Sequence, residues 1–293
     1  MKRKMHTKDT QPLGAHFSIA KGLANALYTA QSYGCTALQI FTKNASTWKE
    51  RQLLPQDTES FDQARRETGI TAIAAHTAYL INLAAVTKKK QALSCEAHKA
   101  ELMRSSALDI PFVVLHPGSH MNAGQASGIQ KITDHLNALF AETPEVTSRL
   151  LLETTAGQGS GIGHTFEQLG LILDRIEDPN RAGVCLDTCH IYAAGYDLRT
   201  PSAYARTMQA FDDIIGFDRL YFIHLNDALK PLGSRVDRHT HIGKGHIGLE
   251  GFAHMMNDPR LARIPKVIET PKGNGNTDFD KINLDRLRGL IRT

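Results

Sequence analysis

Apolar runs of strand length recur along the chain, and between them lie longer stretches in which apolar residues return every three or four positions. Short runs alternating with amphipathic helical stretches are the mark of repeated βα units around a parallel sheet. Eight runs qualify as strands: LGAHF from 13, ALQIF from 37, TAIAAH from 71, FVVLH from 112, RLLLE from 149, AGVCLD from 182, LYFIH from 220 and KVIE from 266. Helices are expected over GLANALYTAQSY, KKKQALSCEAHKAELMRSSAL and GIQKITDHLNALFAE, with a last one over DKINLDRLRGLIR. No linker or low-complexity segment divides the series. The pattern therefore predicts one α/β domain over residues 13–293, a closed (β/α)8 TIM barrel, with a doubly wound open sheet as the structural alternative. Residues 1–12 read as a flexible basic tail, because MKRKMHTKDTQP leads into no apolar leader segment.

The ends of these runs carry the chemistry. His76, His116, Glu153, Asp187, His224 and Glu269 each follow apolar residues at the carboxyl end of a run, the rim on which barrel enzymes build their sites. Singly, each is more economically a helix cap or a hydrogen-bonded core group. Together, six unpaired His, Asp and Glu side chains on one rim would be too costly without cations between them. Two further segments add ligands. LDTCH places His190 three residues after Asp187, and VDRHTH, between the seventh and eighth runs, offers Asp237 and His239. In an extended hexapeptide His241 would face the same side. Nine ligands exceed what one or two ions use, so three divalent cations are expected at the rim. Imidazole and carboxylate without thiolate point to zinc first, with manganese or iron as alternatives. Such cations activate water and stabilise an in-line displacement at phosphorus, so phosphodiester hydrolysis is the leading chemistry.

Composition changes this picture little. The 293 residues are 41% hydrophobic and 22% charged, and no apolar run approaches the roughly 20 residues that span a bilayer, which leads us to expect a soluble, cytoplasmic protein. Cys35, Cys95, Cys185 and Cys189 form no CxxC pair and are read as reduced, mostly buried thiols. A net charge of +4 permits an acidic partner without arguing for one. Lys88, Lys89 and Lys90 are read as a solvated helix start. His6, His98, His135 and His254 are placed on tail or helix surfaces, while His16 and His120, nearer the rim, are candidates for orienting the ligands. Gly157, Gly159, Gly161 and Gly163 miss the GxGxxG spacing and suit tight turns or a close approach to phosphate.

Taken together, LGAHFS, FTKN, HTAYLINLA, LHPGSH, ETTAGQGSGIG, CLDTCHIYAAGYDLRT, HLNDALKPLGSRVDRHTHIGKGHIG and VIETP resemble the endonuclease IV family of apurinic/apyrimidinic endonucleases, over nearly the whole chain. The resemblance implies a zinc-dependent DNA repair enzyme that incises duplex DNA 5′ to abasic sites, leaving a 3′-hydroxyl and a 5′-deoxyribose phosphate. It implies that His76 and His116 share one zinc with Glu153, which bridges to a second zinc and acts catalytically. Asp187, His224 and Glu269 would complete that second site, and His190, Asp237 and His239 would hold the third. Tyr79 and Leu80 match residues that enter the duplex at the lesion. Two positions depart from the family pattern: Ser46 stands where well-known members carry an arginine, and Lys244 where glutamate is common. Serine cannot fill a gap in a base stack or reach a phosphate as arginine does. A monomer without an obligate protein partner is expected. The competing readings are a metal-dependent sugar isomerase or epimerase of the related barrel type, which needs one or two metals, and a non-cutting protein that binds damaged DNA.

Overall fold

The computed structural model describes residues 11–273, 275 and 277–292; most of the expected tail, including His6, lies outside them. Eight parallel strands close into a barrel: β1 (Leu13–His16), β2 (Ala37–Ile40), β3 (Ala72–His76), β4 (Phe112–Leu115), β5 (Arg149–Glu153), β6 (Ala182–Asp187), β7 (Leu220–His224) and β8 (Lys266–Ile268). Each strand pairs with its sequence neighbours, and β8 pairs with β1 to close the sheet. The open-sheet alternative is thereby excluded. Gly14 is required at the β1–β2 contact, since a Cβ there would lie 1.8 Å from the Ala37 carbonyl oxygen.

Helices surround the barrel: α1 (Leu23–Ser32), α2 (Pro55–Thr68), α3 (Lys88–Ala107), α4 (Gln125–Glu142), α5 (Phe166–Leu173), α6 (Thr188–Ala194), α7 (Pro201–Ile214), α8 (Gly248–Asn257) and α9 (Phe279–Gly289). Their starts follow local rules. Thr87, Thr165 and Thr200 cap α3, α5 and α7 with their hydroxyls, and Pro201 opens α7, where a missing amide proton costs nothing. Helix α4 begins three residues earlier than its sequence suggests. Gly128, which looks like a helix start, lies inside the helix because a Cβ there would meet Ile162 and His120 at 2.5 and 2.9 Å.

The interior is layered. Ala37, Ala74, Val114, Leu151, Cys185, Phe222 and Val267, one from each of β2 to β8, form a buried apolar cluster inside the barrel. Two residues further on stand Gln39, His76, His116, Glu153, Asp187, His224 and Glu269. Side chains two apart along a strand share a face, so a polar ring follows directly above the apolar layer. Outward-facing neighbours such as Leu38, Ile73, Val113, Leu150 and Leu186 pack against the helices in the outer core. Among the described residues no helix is long and apolar enough to cross a membrane.

Candidate metal centre

Glu153 sits at the middle of the ring with no solvent exposure, and its two oxygens face different partners. Oε2 lies 3.1 Å from His76 Nε2 and 2.8 Å from His116 Nε2, whereas Oε1 lies 2.8 Å from His224 Nδ1 and 3.3 Å from His190 Nδ1. Around His224 Nδ1 gather Glu269 Oε2 at 3.2 Å and Asp187 Oδ2 at 3.7 Å. The same Asp187 oxygen lies 3.7 Å from His239 Nε2. Asp237, in the loop after β7, brings Oδ2 to 3.3 Å from His190 Nε2 and Oδ1 to 3.4 Å from His239 Nε2. All nine sequence-derived residues thus meet at one rim. Donor atoms of eight of them fall into three groups, each within 4.8 Å: His76, His116 and Glu153; Glu153, Asp187, His224 and Glu269; and Asp187, His190 and His239; Asp237 groups with His239 and Cys189.

The strands and one helix start position these side chains. His76, Glu153, Asp187 and His224 end their strands, while His116 and Glu269 stand one residue past theirs. Asp187 also caps α6, its Oδ1 accepting from the His190 amide at 2.9 Å, which fixes the first turn that carries His190 to the centre. Neighbours fix which nitrogen faces inward. His76 Nδ1 donates to the Thr77 carbonyl and His190 Nδ1 to the Thr154 carbonyl, both at 2.8 Å, and His224 Nε2 donates to Gln39 Oε1 at 2.7 Å. Gln39 Nε2 in turn donates to Glu269 Oε1 at 2.5 Å. Asn226 Nδ2 donates to Asp187 Oδ2 at 2.7 Å, and its Oδ1 accepts from the Glu269 amide. Outer partners of this kind orient metal ligands. Gln39, Thr154 and Asn226 were not singled out in the sequence, although Gln39 is the one polar residue of its apolar run.

Electrostatics match a site for cations. Burial pushes the Glu153 carboxyl up, but His224, His116 and His190 outweigh it and hold it well below the usual range. Burial likewise opposes the charged form of His190 and His224, yet Asp187, Asp237 and Glu153 around the first, and Cys185, Glu269 and Glu153 around the second, raise both well above the usual histidine value. The Asp237 carboxyl is lowered too, burial being outweighed by His190 and His239. His239 Nε2 is buried with no hydrogen-bond partner among the described residues, an orphaned lone pair among carboxylates that a divalent cation would satisfy. The set of imidazole and carboxylate donors fits zinc or a similar ion. Cys189, read from the sequence as a buried thiol, also brings its Sγ within 4.8 Å of Asp237 and His239. Burial and Asp187 push its thiol far up, and it contacts the Arg238 carbonyl oxygen at 3.6 Å, so it remains a protonated wall.

Other expectations are corrected. His241 does not join Asp237 and His239: its ring stacks on Phe279 at 4.1 Å and meets the Asn283 amide, because the segment turns after the two-residue ribbon His239–Thr240. His98 is not on a helix surface. It is fully buried, with Nδ1 3.4 Å from His135 Nε2. His16 stands at the centre, its Nδ1 receiving Gln39 Nε2 at 3.0 Å and lying 3.8 Å from Glu269, whereas His120 has a buried Nδ1 without a partner. The glycine segment serves turns first, Gly157, Gly159 and Gly163 having positive φ, and Gly157 and Gly161 also line the cavity. The four cysteines are free, three buried and Cys95 half-buried.

Tyr79 and Leu80 are exposed, by 67% and 37%, so neither belongs to the core despite the apolar stretch around them. Tyr79 shares with His116, His190 and Asp237 a cavity of about 480 Å³ that opens over the centre. The β2–α2 loop holding Ser46 rests on a buried clamp. Arg104 donates to Thr42, Glu50 and Glu101, and Lys43 Nζ donates to the Thr47 carbonyl at 2.6 Å.

Comparison with known proteins agrees with the geometry. The family described as xylose isomerase-like TIM barrel matches residues 27–288. A probable endonuclease 4 of Geotalea daltonii is 44% identical over 280 residues, covering 96% of this chain and 98% of the relative. That of Geobacter sulfurreducens is 45% identical over 96% of this chain and 94% of the relative. The crystal structure of endonuclease IV from Thermus thermophilus superposes with a TM-score of 0.84 at 34% identity, over 95% of this chain and 98% of that one. A D-tagatose 3-epimerase-like protein shares the fold alone, with a TM-score of 0.70 at 16% identity over 94% of this chain and 96% of that one. With identity at this level over almost its full length, the chain belongs to the endonuclease IV family of the xylose isomerase-like TIM barrels.

Proposed function

We propose that this protein is a metal-dependent DNA repair endonuclease that hydrolyses the phosphodiester 5′ to abasic sites in duplex DNA, giving a 3′-hydroxyl and a 5′-deoxyribose phosphate. The observation that carries the reading is Glu153: a buried carboxylate whose two oxygens are divided between two histidine groups is what a bridge between two cations requires. His76, His116 and Glu153 would hold one ion. Glu153, Asp187, His224 and Glu269 would hold a second, and His190, Asp237 and His239, with Asp187 in reach, a third. When bound, zinc or a comparable divalent ion supplies Lewis-acid activation of water and charge stabilisation at phosphorus.

The chain's own residues do the rest. Gln39, Thr154 and Asn226 hold the ligands so that little reorganisation accompanies the reaction. The half-exposed His116 and Asp237 stand at the mouth of the cavity, open to the scissile phosphate, and Tyr79 and Leu80 project where a duplex at the rim would meet them. The catalytic domain spans residues 13–293, acts as a monomer in the cytoplasm and needs no protein partner.

The test is nicking of a labelled duplex carrying one abasic analogue, beside an undamaged duplex, with metal-loaded or chelator-treated protein. Incision only 5′ to the lesion, lost on chelation and restored by zinc, supports the reading. Three tightly bound ions without incision would refute the substrate assignment, and one or two ions with sugar interconversion would favour an epimerase.

A further inference from the structure

A second cavity, of about 590 Å³, lies beside the metal centre. Its walls are Trp48, Leu80, Val86, Leu93 and Met121, all exposed large apolar side chains, and Lys89 and Lys90 line its edge. Among the described residues no carboxylate lines it. Two observations join it to the metal cavity. The consecutive residues Tyr79 and Leu80 line different cavities, Tyr79 the metal side and Leu80 this one, and Asn82 lines both. Asn82 is held rigid, since its Oδ1 accepts from the Ala84 and Ser119 amides and its Nδ2 donates to the Ser119 carbonyl. Residues 79–82 are therefore a fixed ridge between a polar, ligand-rich bowl and an apolar, lysine-edged groove.

We propose that this groove is a nucleobase subsite, in which the indole of Trp48 stacks on a base of the bound duplex while Lys89 and Lys90 face its phosphates. The proposal rests on the reading of the chain as a nuclease acting on duplex DNA. A flat apolar wall edged by lysines is the composition that takes up an unstacked base without regard to sequence. The charge argues against a peptide occupant, because a groove edged with lysine and free of carboxylates complements a polyanion. The loop that carries Trp48 is also anchored: Lys43 grips the Thr47 carbonyl, and Arg104 holds Glu50 at 2.8 Å on the other side. Ser46, two residues earlier, is too short to reach into a base stack. Trp48 is the aromatic surface this loop offers.

Trp48 is the chain's only tryptophan, so its emission reports this groove alone. The metal-loaded protein is mixed rapidly with a labelled duplex holding one abasic analogue, and tryptophan emission, label anisotropy and incision are followed together. Emission should be quenched with the binding phase, before product forms. Trp48→Ala should raise KM roughly 5- to 150-fold with kcat changed less than about twofold, and Trp48→Phe should recover most of the loss. Normal binding and incision with unchanged emission, and an alanine variant of unchanged KM, would overturn the subsite while leaving the nuclease reading intact. Absence of both binding and incision would overturn both. An emission change that follows protein concentration without DNA, with sedimentation showing a dimer, would assign the groove to a second copy and overturn the proposal.

Discussion

Replacing Gln39 by leucine removes three contacts from beneath the metal centre at almost constant volume. Gln39 Oε1 accepts from His224 Nε2 at 2.7 Å, while Nε2 donates to Glu269 Oε1 at 2.5 Å and reaches His16 Nδ1 at 3.0 Å. Gln39 and His224 are both fully buried, so no water replaces what is lost. The imidazole N–H is left unpaired, at about 1–3 kcal/mol, while Glu269, 15% exposed, keeps access to water. Each kcal/mol lowers the Tm of a large domain by about 2–4 °C, so the variant should melt at least roughly 2 °C below the parent. Metal affinity should fall about 10- to 100-fold, because His224 and Glu269 lose the group that orients them. Competition with a chromophoric zinc chelator reads the affinity, and a thermal melt of the same sample reads the stability. Zinc affinity within about threefold of the parent and an unchanged melt would refute the claim that Gln39 holds these ligands in place.

Three further outcomes are expected. Glu153→Gln should keep the fold by circular dichroism but lower turnover more than about 100-fold and reduce bound metal per chain by elemental analysis, since an amide bridges two cations poorly. The buried pair His98 and His135 should make the protein acid-sensitive. Burial lowers His98 well below 6.5 and His135 to about 4, so between pH 6.5 and 4 the unfolded chain takes up protons that the folded one refuses, and stability falls as pH falls. The loss is roughly 2 kcal/mol for His135 from pH 7 to 5, and His98→Gln should remove the part of the loss that His98 adds, read as a smaller Tm difference between those pH values; an unchanged difference would disprove it. Ser46→Arg should tighten abasic-duplex binding and steepen the salt dependence of log K by about 0.9, the signature of one added phosphate contact; an unaltered slope in anisotropy titrations would count against a phosphate within reach.

The convergence of the candidate ligands was legible because each of the strand-end residues breaks an apolar run at its last position, and because alternation along a strand must turn them all inward. His190, Asp237 and His239 were legible from spacing alone. The support beneath them was harder to see. A single glutamine inside ALQIF reads as an outward residue of a half-buried strand, Asn226 lies in a stretch without period, and Thr154 acts through its carbonyl, which side-chain patterns do not display. His98 was misplaced for a different reason. The buried face of α3 carries Ser94, His98, Glu101, Arg104 and Ser105, so apolar periodicity does not mark that face. The reason is the buried Arg104 clamp, a long-range pairing with residues around 42 and 50 that no local pattern announces. The apolar stretch after the third run hides a similar choice, since only the folded chain shows that Tyr79 and Leu80 point out of the core.

Strand order gives the centre an order of assembly. His76, His116 and Glu153 stand on or just past β3, β4 and β5, consecutive in sequence and adjacent in the sheet, so the first group can form from residues 72–153 while later strands are still unplaced. Glu269 stands just past β8, a three-residue strand that pairs with β7 on one side and β1 on the other. It arrives last, with β8. Any ion shared by Glu153 and Glu269 therefore ties β8 across the barrel mouth to β5, and its removal should show first as faster amide hydrogen exchange along β8, with β3 and β4 still protected.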